Sequence, residues 1–171
     1  MIKKPILLFL TSTEFNDEEY LTIRANFEKN GFSINIASDA ANLCLSSKGL
    51  RVKADILLYN IHAKNFASLV LIGGSGMRNY WSNILLQKVA RGFFDSGIPV
   101  GAICSAPVLL ANAGLLKGIE AVCFPSDRKV LEKSGTTYVD KPVVKSGKII
   151  TGRDPQSALD FSWTVLNILE S

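Results

Sequence analysis

Histidine is nearly absent from this chain of 171 residues: His62 is the one instance, and it follows Ile61 in a stretch without a regular apolar pattern. A cysteine or serine paired with a histidine base needs that base within hydrogen-bond reach. His62 has no evident route to any cysteine, so it reads as a solvated or locally bonded side chain, too isolated to anchor a zinc site. Cysteine is scarce as well. Cys44, Cys104 and Cys123 are far apart and odd in number, which excludes a visible disulfide framework and fits a reducing cytoplasm. No apolar run approaches transmembrane length. The N-terminal apolar stretch is only Ile6 to Leu10, with no small-residue cleavage site before Glu14, so a signal peptide is not indicated. Basic residues exceed acidic ones, 19 against 15, but they stand singly or in pairs. Without a basic block, nucleic-acid binding is disfavoured and a solvated surface is the better account.

What is present suits one globular domain over residues 1–171, with a hydrophobic fraction of 47% and no repeat or low-complexity linker. Ile6 to Leu10 reads as a strand buried on both faces. Asp17 is the expected cap of a helix to about Asn30, with Glu18 and Glu19 in its first turn and Gly31 ending it. Phe32 to Ala37 is a second strand. Residues 38–65 give no regular pattern beyond a short extended piece within 48–55. Ser68 to Ile72 is a strand that Gly73-Gly-Ser-Gly76 breaks sharply. A helix is expected from about Asn79 to Ser96, then a strand from Pro99 to Cys104. A helix from Ser105 to near Gly114 and a strand over Ala121–Phe124 follow. Ser126 opens a short helix to about Lys133, and Lys141–Ile150 forms a hairpin turning at Ser146-Gly147. Pro155 begins a C-terminal helix. Strands alternating with helices predict an α/β sandwich around a mainly parallel sheet, with ligands at the strands' C-terminal ends.

Cys104 stands at a strand-to-helix join, with Ala102 and Ala106 as small neighbours. A sharp turn that lifts a nucleophile out of a sheet needs such neighbours, so the stretch has the physics of a nucleophile elbow with sulfur as the reacting atom. The partial positive charge at the following helix terminus favours a thiolate there. A buried structural cysteine is the plainer alternative. The amides of Gly74 and Ser105 could hold a developing oxyanion. Glu19 is the candidate proton partner, because a carboxyl group beside a thiolate favours its protonated form. Glu18 and Glu19 also serve, more simply, as charges complementing a helix N-terminus. Two phosphate-loop readings are weak. Thr11-Ser-Thr13 is followed by the acidic Glu14, and Gly73-Gly-Ser-Gly-Met-Arg-Asn79 lacks the last glycine of a dinucleotide loop.

Four segments in order carry a likeness to a known family. They are Leu7-Leu-Phe-Leu-Thr-Ser-Thr-Glu-Phe-Asn-Asp-Glu-Glu19, Leu71-Ile-Gly-Gly-Ser-Gly76, Ala102-Ile-Cys-Ser-Ala-Pro107 and Thr151-Gly-Arg-Asp-Pro155. Together they resemble the ThiJ/PfpI superfamily. The resemblance implies a flavodoxin-like three-layer sandwich, assembly as a dimer or larger oligomer, and no metal or organic cofactor. It assigns the reactive cysteine to Cys104, its acid to Glu19 and the oxyanion amides to Gly74 and Ser105. Gly73, Phe124, Cys123 and Arg153 are carried along as pocket candidates, Cys123 either as a resolving thiol near the pocket mouth or, more simply, as a plain strand residue. The departures are informative. Peptidase-like members have histidine where Ser105 stands, and glyoxalase- and deglycase-like members have it where Phe124 falls. Peptidase activity is therefore disfavoured. The expected function is cysteine-dependent chemistry on a small electrophile such as a reactive carbonyl, with Glu19 moving the proton. The alternatives are a redox sensor in which Cys104 is oxidised, and a scaffold that has lost catalysis.

Overall fold

The computed structural model describes residues 1–39 and 43–171. Its elements run β1 (Ile6–Phe9), β2 (Thr13–Phe15), α1 (Asp17–Lys29), β3 (Ile34–Ser38), β4 (Leu43–Ser46), β5 (Arg51–Lys53), β6 (Ile56–Leu57) and β7 (Ser68–Leu71). Then follow α2 (Ile84–Asp95), β8 (Val100–Ile103), α3 (Pro107–Asn112), β9 (Glu120–Ala121) and α4 (Arg128–Glu132). The chain closes with β10 (Thr137–Tyr138), β11 (Val143–Ser146), β12 (Ile149–Gly152) and α5 (Ala158–Leu169). The central sheet has the order β11-β12-β8-β7-β1-β3-β6, and β11 alone joins it antiparallel.

Side-chain alternation explains the layers. Along β1, Leu7 and Phe9 enter one apolar cluster while Ile6 and Leu8 enter another, so both faces of this strand need cover. Leu86, Ala90 and Phe93 of α2, with Val108, Leu109 and Leu110 of α3, cover the first face. Tyr20, Ile23 and Phe27 of α1, with Phe161, Val165 and Leu166 of α5, cover the second. A buried hydrogen bond from Asn26 Nδ2 to Ser162 Oγ, 2.8 Å, ties α1 to α5. The result is the expected three-layer α/β sandwich. Among the described residues no helix is long and apolar enough to cross a membrane.

Several element boundaries differ from the sequence pattern for local reasons. Asn16, not Asp17, caps α1, accepting from the Glu19 amide at 3.0 Å. The Asp17 carboxylate instead accepts from Ser46 Oγ and the Lys48 amide. The expected helix from Asn79 is split: Ser75–Tyr80 is 3-10, and α2 starts only at Ile84, where Asn83 accepts from the Leu86 amide. α3 starts at Pro107 rather than Ser105, because proline fits the first helical position and Cys104 turns the chain first. The strand expected over 121–124 is confined to Glu120–Ala121. Phe124 leaves it to donate to the Cys104 carbonyl. Pro125–Asp127 is 3-10, and Ser126 caps nothing. The hairpin pairs Ser146 with Ile149, so Gly147-Lys148 makes its turn. Asp154 caps the 3-10 turn Pro155–Ser157 ahead of α5. Residues 40–42, within the stretch that gave no regular pattern, lie outside the described residues.

Phe161 is fully buried at the centre of the α1/α5 face. Phe161→Ala should cost about 3–5 kcal/mol through lost burial and the cavity left behind, read as a lower midpoint in urea unfolding.

Candidate active site

β1 lies between β7 on one side and β3 on the other, so the chain leaves β1 and β7 in opposite directions across the sheet. A crevice opens outside the carboxyl ends of strands at such a switch point. Three segments meet there: residues 10–19 after β1, 72–80 after β7 and 104–106 after β8. Their backbones interlock. The Asn16 amide donates to the Gly73 carbonyl at 2.9 Å, and Ser105 Oγ donates to the Gly74 carbonyl at 2.7 Å. Gly74 has φ 122, and a Cβ there would stand 2.4 Å from the Glu14 carbonyl oxygen. Glu14 is itself left-handed, with φ 62.

Cys104 is the other non-glycine residue with positive φ among those described, at 64. Such a conformation costs on the order of 1–3 kcal/mol and persists only where the surroundings hold it. Here the Cys104 amide donates to the Gly152 carbonyl at 2.9 Å, its carbonyl accepts from the Phe124 amide at 2.7 Å, and Ala106 N–H closes the turn onto the Ile103 carbonyl. Cys104 is buried, 7% exposed. The backbone N–H groups of Ser105 and Gly74 favour the ionised sulfur.

Glu19 enters from the first turn of α1, where the Asn16 cap fixes its backbone. The side chain is fully buried, and neither Oε1 nor Oε2 has a nitrogen or oxygen partner among the described residues. The group that faces it is the Cys104 thiol. Gly73 makes this meeting possible: a Cβ on it would stand 2.7 Å from Cys104 Cβ and 3.0 Å from Glu19 Oε1.

The remaining candidates divide. Phe124 packs against the apolar cluster that holds Cys104 and is tied to its carbonyl. Cys123 is not at a pocket mouth; it is fully buried, with Sγ donating to the Phe124 carbonyl at 3.4 Å, because β9 ends before it and the chain turns inward. Arg153 is held between Asp154 (2.8 Å) and Asp140 (3.1 Å). His62 is exposed in the turn leading to Ala63–Asn65. Among the described residues no three His, Cys, Asp or Glu side chains gather to hold a metal ion. A cavity of about 730 Å³ lined by Phe94, Leu115, Ile119 and Lys148 belongs to the opposite end of the sheet, where Ile149 pairs with Val100.

Residues 4–168 match the model of the DJ-1/PfpI family. The chain belongs to that family. A deglycase from Pyrococcus horikoshii is 31% identical over 157 residues, covering 92% of this chain and 93% of its own. A glutathione-independent glyoxalase from Caenorhabditis elegans is 23% identical, covering 98% of this chain and 90% of its own. The crystal structure of a ThiJ/PfpI domain protein from Brachyspira murdochii superposes with a TM-score of 0.96 at 28% identity, covering 99% and 98% of the two chains.

The electrostatics of this DJ-1/PfpI site overturn the helix-terminus argument for a favoured thiolate. α3 spans six residues and begins past the elbow, so its dipole is small and misplaced. Burial pushes the Cys104 thiol up, and an ionised Glu19 pushes it further; the Ser105 and Gly74 amides and Arg78 pull the other way without reversing the shift. Burial also raises Glu19 well above its ordinary value of 4.5, opposed by the neighbouring Cys104 thiol and reinforced by the charges of Glu18 and Asp154. The pair is thus arranged against holding two negative charges, and burial favours the protonated form of both groups. Arg78, the cation that acts on the sulfur, escaped the sequence reading. It sits in a loop segment whose partner, Asp127, lies far away in the chain.

A carboxyl raised in the folded state keeps a proton that the unfolded chain has released, so stability falls as pH rises above the ordinary carboxyl range. Urea midpoints of wild type should therefore decline from about pH 4.5 upward relative to Glu19→Gln. The two proteins should converge below that range, where both states are protonated.

Proposed function

We propose that the protein is a cysteine-dependent enzyme acting on small reactive carbonyls, of the glyoxalase or deglycase kind. The observation that carries this reading is the burial of the Glu19 carboxyl, without a hydrogen-bond partner among the described residues, beside the Cys104 thiol where Gly73 leaves room for both. The relatives named deglycase and glyoxalase support the same reaction class. The near-complete burial of Cys104 suits a small substrate better than an extended peptide, and Ser105 supplies no base after the nucleophile.

In the first step Sγ attacks the carbonyl carbon, forming the S–C bond while the C=O π pair moves onto oxygen. One oxygen of Glu19 takes the thiol proton as the other gives its own to the new alkoxide. The acid ends as it began, and the product is a hemithioacetal. Gly74 and Ser105 amides meet the oxygen as its charge develops. A carboxylic acid exchanging protons in this way needs no histidine, which accommodates Phe124 and Ser105. Wild type should consume methylglyoxal, measured by loss of the dicarbonyl in proton NMR. Cys104→Ala should fall to the buffer rate, and Glu19→Gln should lose about 10²–10⁴-fold, the usual worth of positioned acid–base catalysis. Equal inertness of wild type and Cys104→Ala would refute the reading.

The same Glu19 carboxyl favours a second reading, in which peroxide oxidises the Cys104 thiol to sulfenic acid, one peroxide oxygen going to sulfur and the other leaving as water, and Glu19 stabilises the product by donating to its oxygen. Mild peroxide should then add oxygen to Cys104 before Cys44 or Cys123, resolved by peptide mass spectrometry. Uniform oxidation of the three thiols would count against it.

A further inference from the structure

We propose that Glu14 is a specificity-determining residue that screens electrophiles approaching Cys104 by charge. It admits neutral and cationic carbonyls and turns away anionic ones such as 2-oxo acids. Backbone geometry points to it first. β2 pairs Thr13 with Leu45 and Phe15 with Ser46, which are consecutive on β4, so Glu14 is the extra residue of a β-bulge. Thr13 and Phe15, which a regular strand would place on one face, are exposed and buried respectively. Glu14 sits in this bulge at φ 62, a left-handed conformation that glycine adopts freely and glutamate adopts at a cost in stability. Backbone strain of this kind clusters at functional sites, and bulges beside active sites re-aim side chains.

The carboxylate shows where this one is aimed. Glu14 Oε2 accepts from Ser75 Oγ at 3.3 Å. Of residues 72–77 Ser75 alone is exposed, so the solvent side of the glycine turn carries Ser75 and the carboxylate bound to it. The thiol lies behind that turn. A Cβ on Gly74 would stand 2.4 Å from the Glu14 carbonyl oxygen, and one on Gly73 would stand 2.7 Å from Cys104 Cβ. Glu14 and Cys104 are therefore separated by one thickness of chain. Among the described residues no ion pair neutralises Glu14, whereas the arginines of the surrounding loops are engaged, Arg78 with Asp127 and Arg153 with Asp140 and Asp154. Glu18, exposed in the first turn of α1, adds a second acid to the same segment. The approach is thus acidic on a chain whose formal net charge is +4, so its sign is set locally by these side chains.

This inference rests on the reading of Cys104 as the reacting atom, and alkylation tests it without any substrate. The Cys104 peptide is followed by mass spectrometry while the folded protein reacts with neutral iodoacetamide or anionic iodoacetate, reagents of similar size. Their rate ratio cancels any change in the thiol's own ionisation and reports charge along the approach. Glu14→Gln should raise the iodoacetate-to-iodoacetamide ratio about twofold to threefold at about 10 mM salt, the effect of one charge on the order of 10 Å away in a largely wet medium. The gain should vanish at about 1 M salt, where the screening length is about 3 Å. Glu14→Gly should give the same gain together with a higher urea midpoint, because it removes the charge and the backbone strain at once. Glu18→Gln should move the ratio less. A folded Glu14→Gln protein with the wild-type ratio at low salt, or an equal gain in Glu18→Gln, overturns the inference and leaves the reading of the site standing. Absence of alkylation at Cys104 in folded wild type would instead overturn the reading of Cys104 on which the inference rests.

Discussion

Gly73 and Gly74 thread between the Glu14–Asn16 backbone and the Cys104 elbow at distances that leave no room for a Cβ. That close approach sets the relation between the three segments that form the site. It brings the Gly74 amide to the sulfur and admits the Glu19 carboxyl to the thiol. It also takes the Asn16 amide as a hydrogen-bond donor to Gly73, beside the cap that starts α1. Two left-handed residues, Glu14 and Cys104, flank this glycine pair from opposite sides. The backbone energy held in them is offset by the hydrogen bonds that lock the loops together.

Much of this was legible beforehand because it depends on residue types whose physics is local. A run of apolar residues without alternation could only be a strand covered on both faces, as β1 is. A cysteine between alanines at a strand's end could be read as an elbow, and the glycine turn as a close backbone approach. Boundaries fared worse where side chains chose distant partners. Asp17 looked like a cap, but Ser46 and Lys48 claim its carboxylate and Asn16 takes the role. Phe124 looked like strand, but the Cys104 carbonyl draws its amide out of line. Arg78 was invisible for the same reason, since nothing near it in sequence says that Asp127 will be buried against it.

The thiol is the instructive failure. A helix N-terminus following a cysteine suggests an easily ionised sulfur, yet desolvation acts on every buried charge, and the helix here is short and late. What replaces the dipole is a distribution of labour. A buried acid that burial holds toward its protonated form stands beside the thiol, while the Ser105 and Gly74 amides and the Arg78 charge oppose the rise of the thiol without reversing it. Family membership establishes the fold and a class of relatives; the balance among these groups is read from this chain's own residues, with serine after the cysteine and phenylalanine hydrogen-bonded to its carbonyl.

The two margins of the central sheet carry a separate consequence. One ends in β6, only two residues long, and the other in the antiparallel β11, whose Lys145 is exposed. An extended, flat, apolar margin invites another chain to add itself strand to strand. A two-residue margin offers almost no backbone to pair with, and a lysine on the other discourages a neighbour from settling there. The central sheet is thereby guarded, along both margins, against strand-to-strand association with copies of itself.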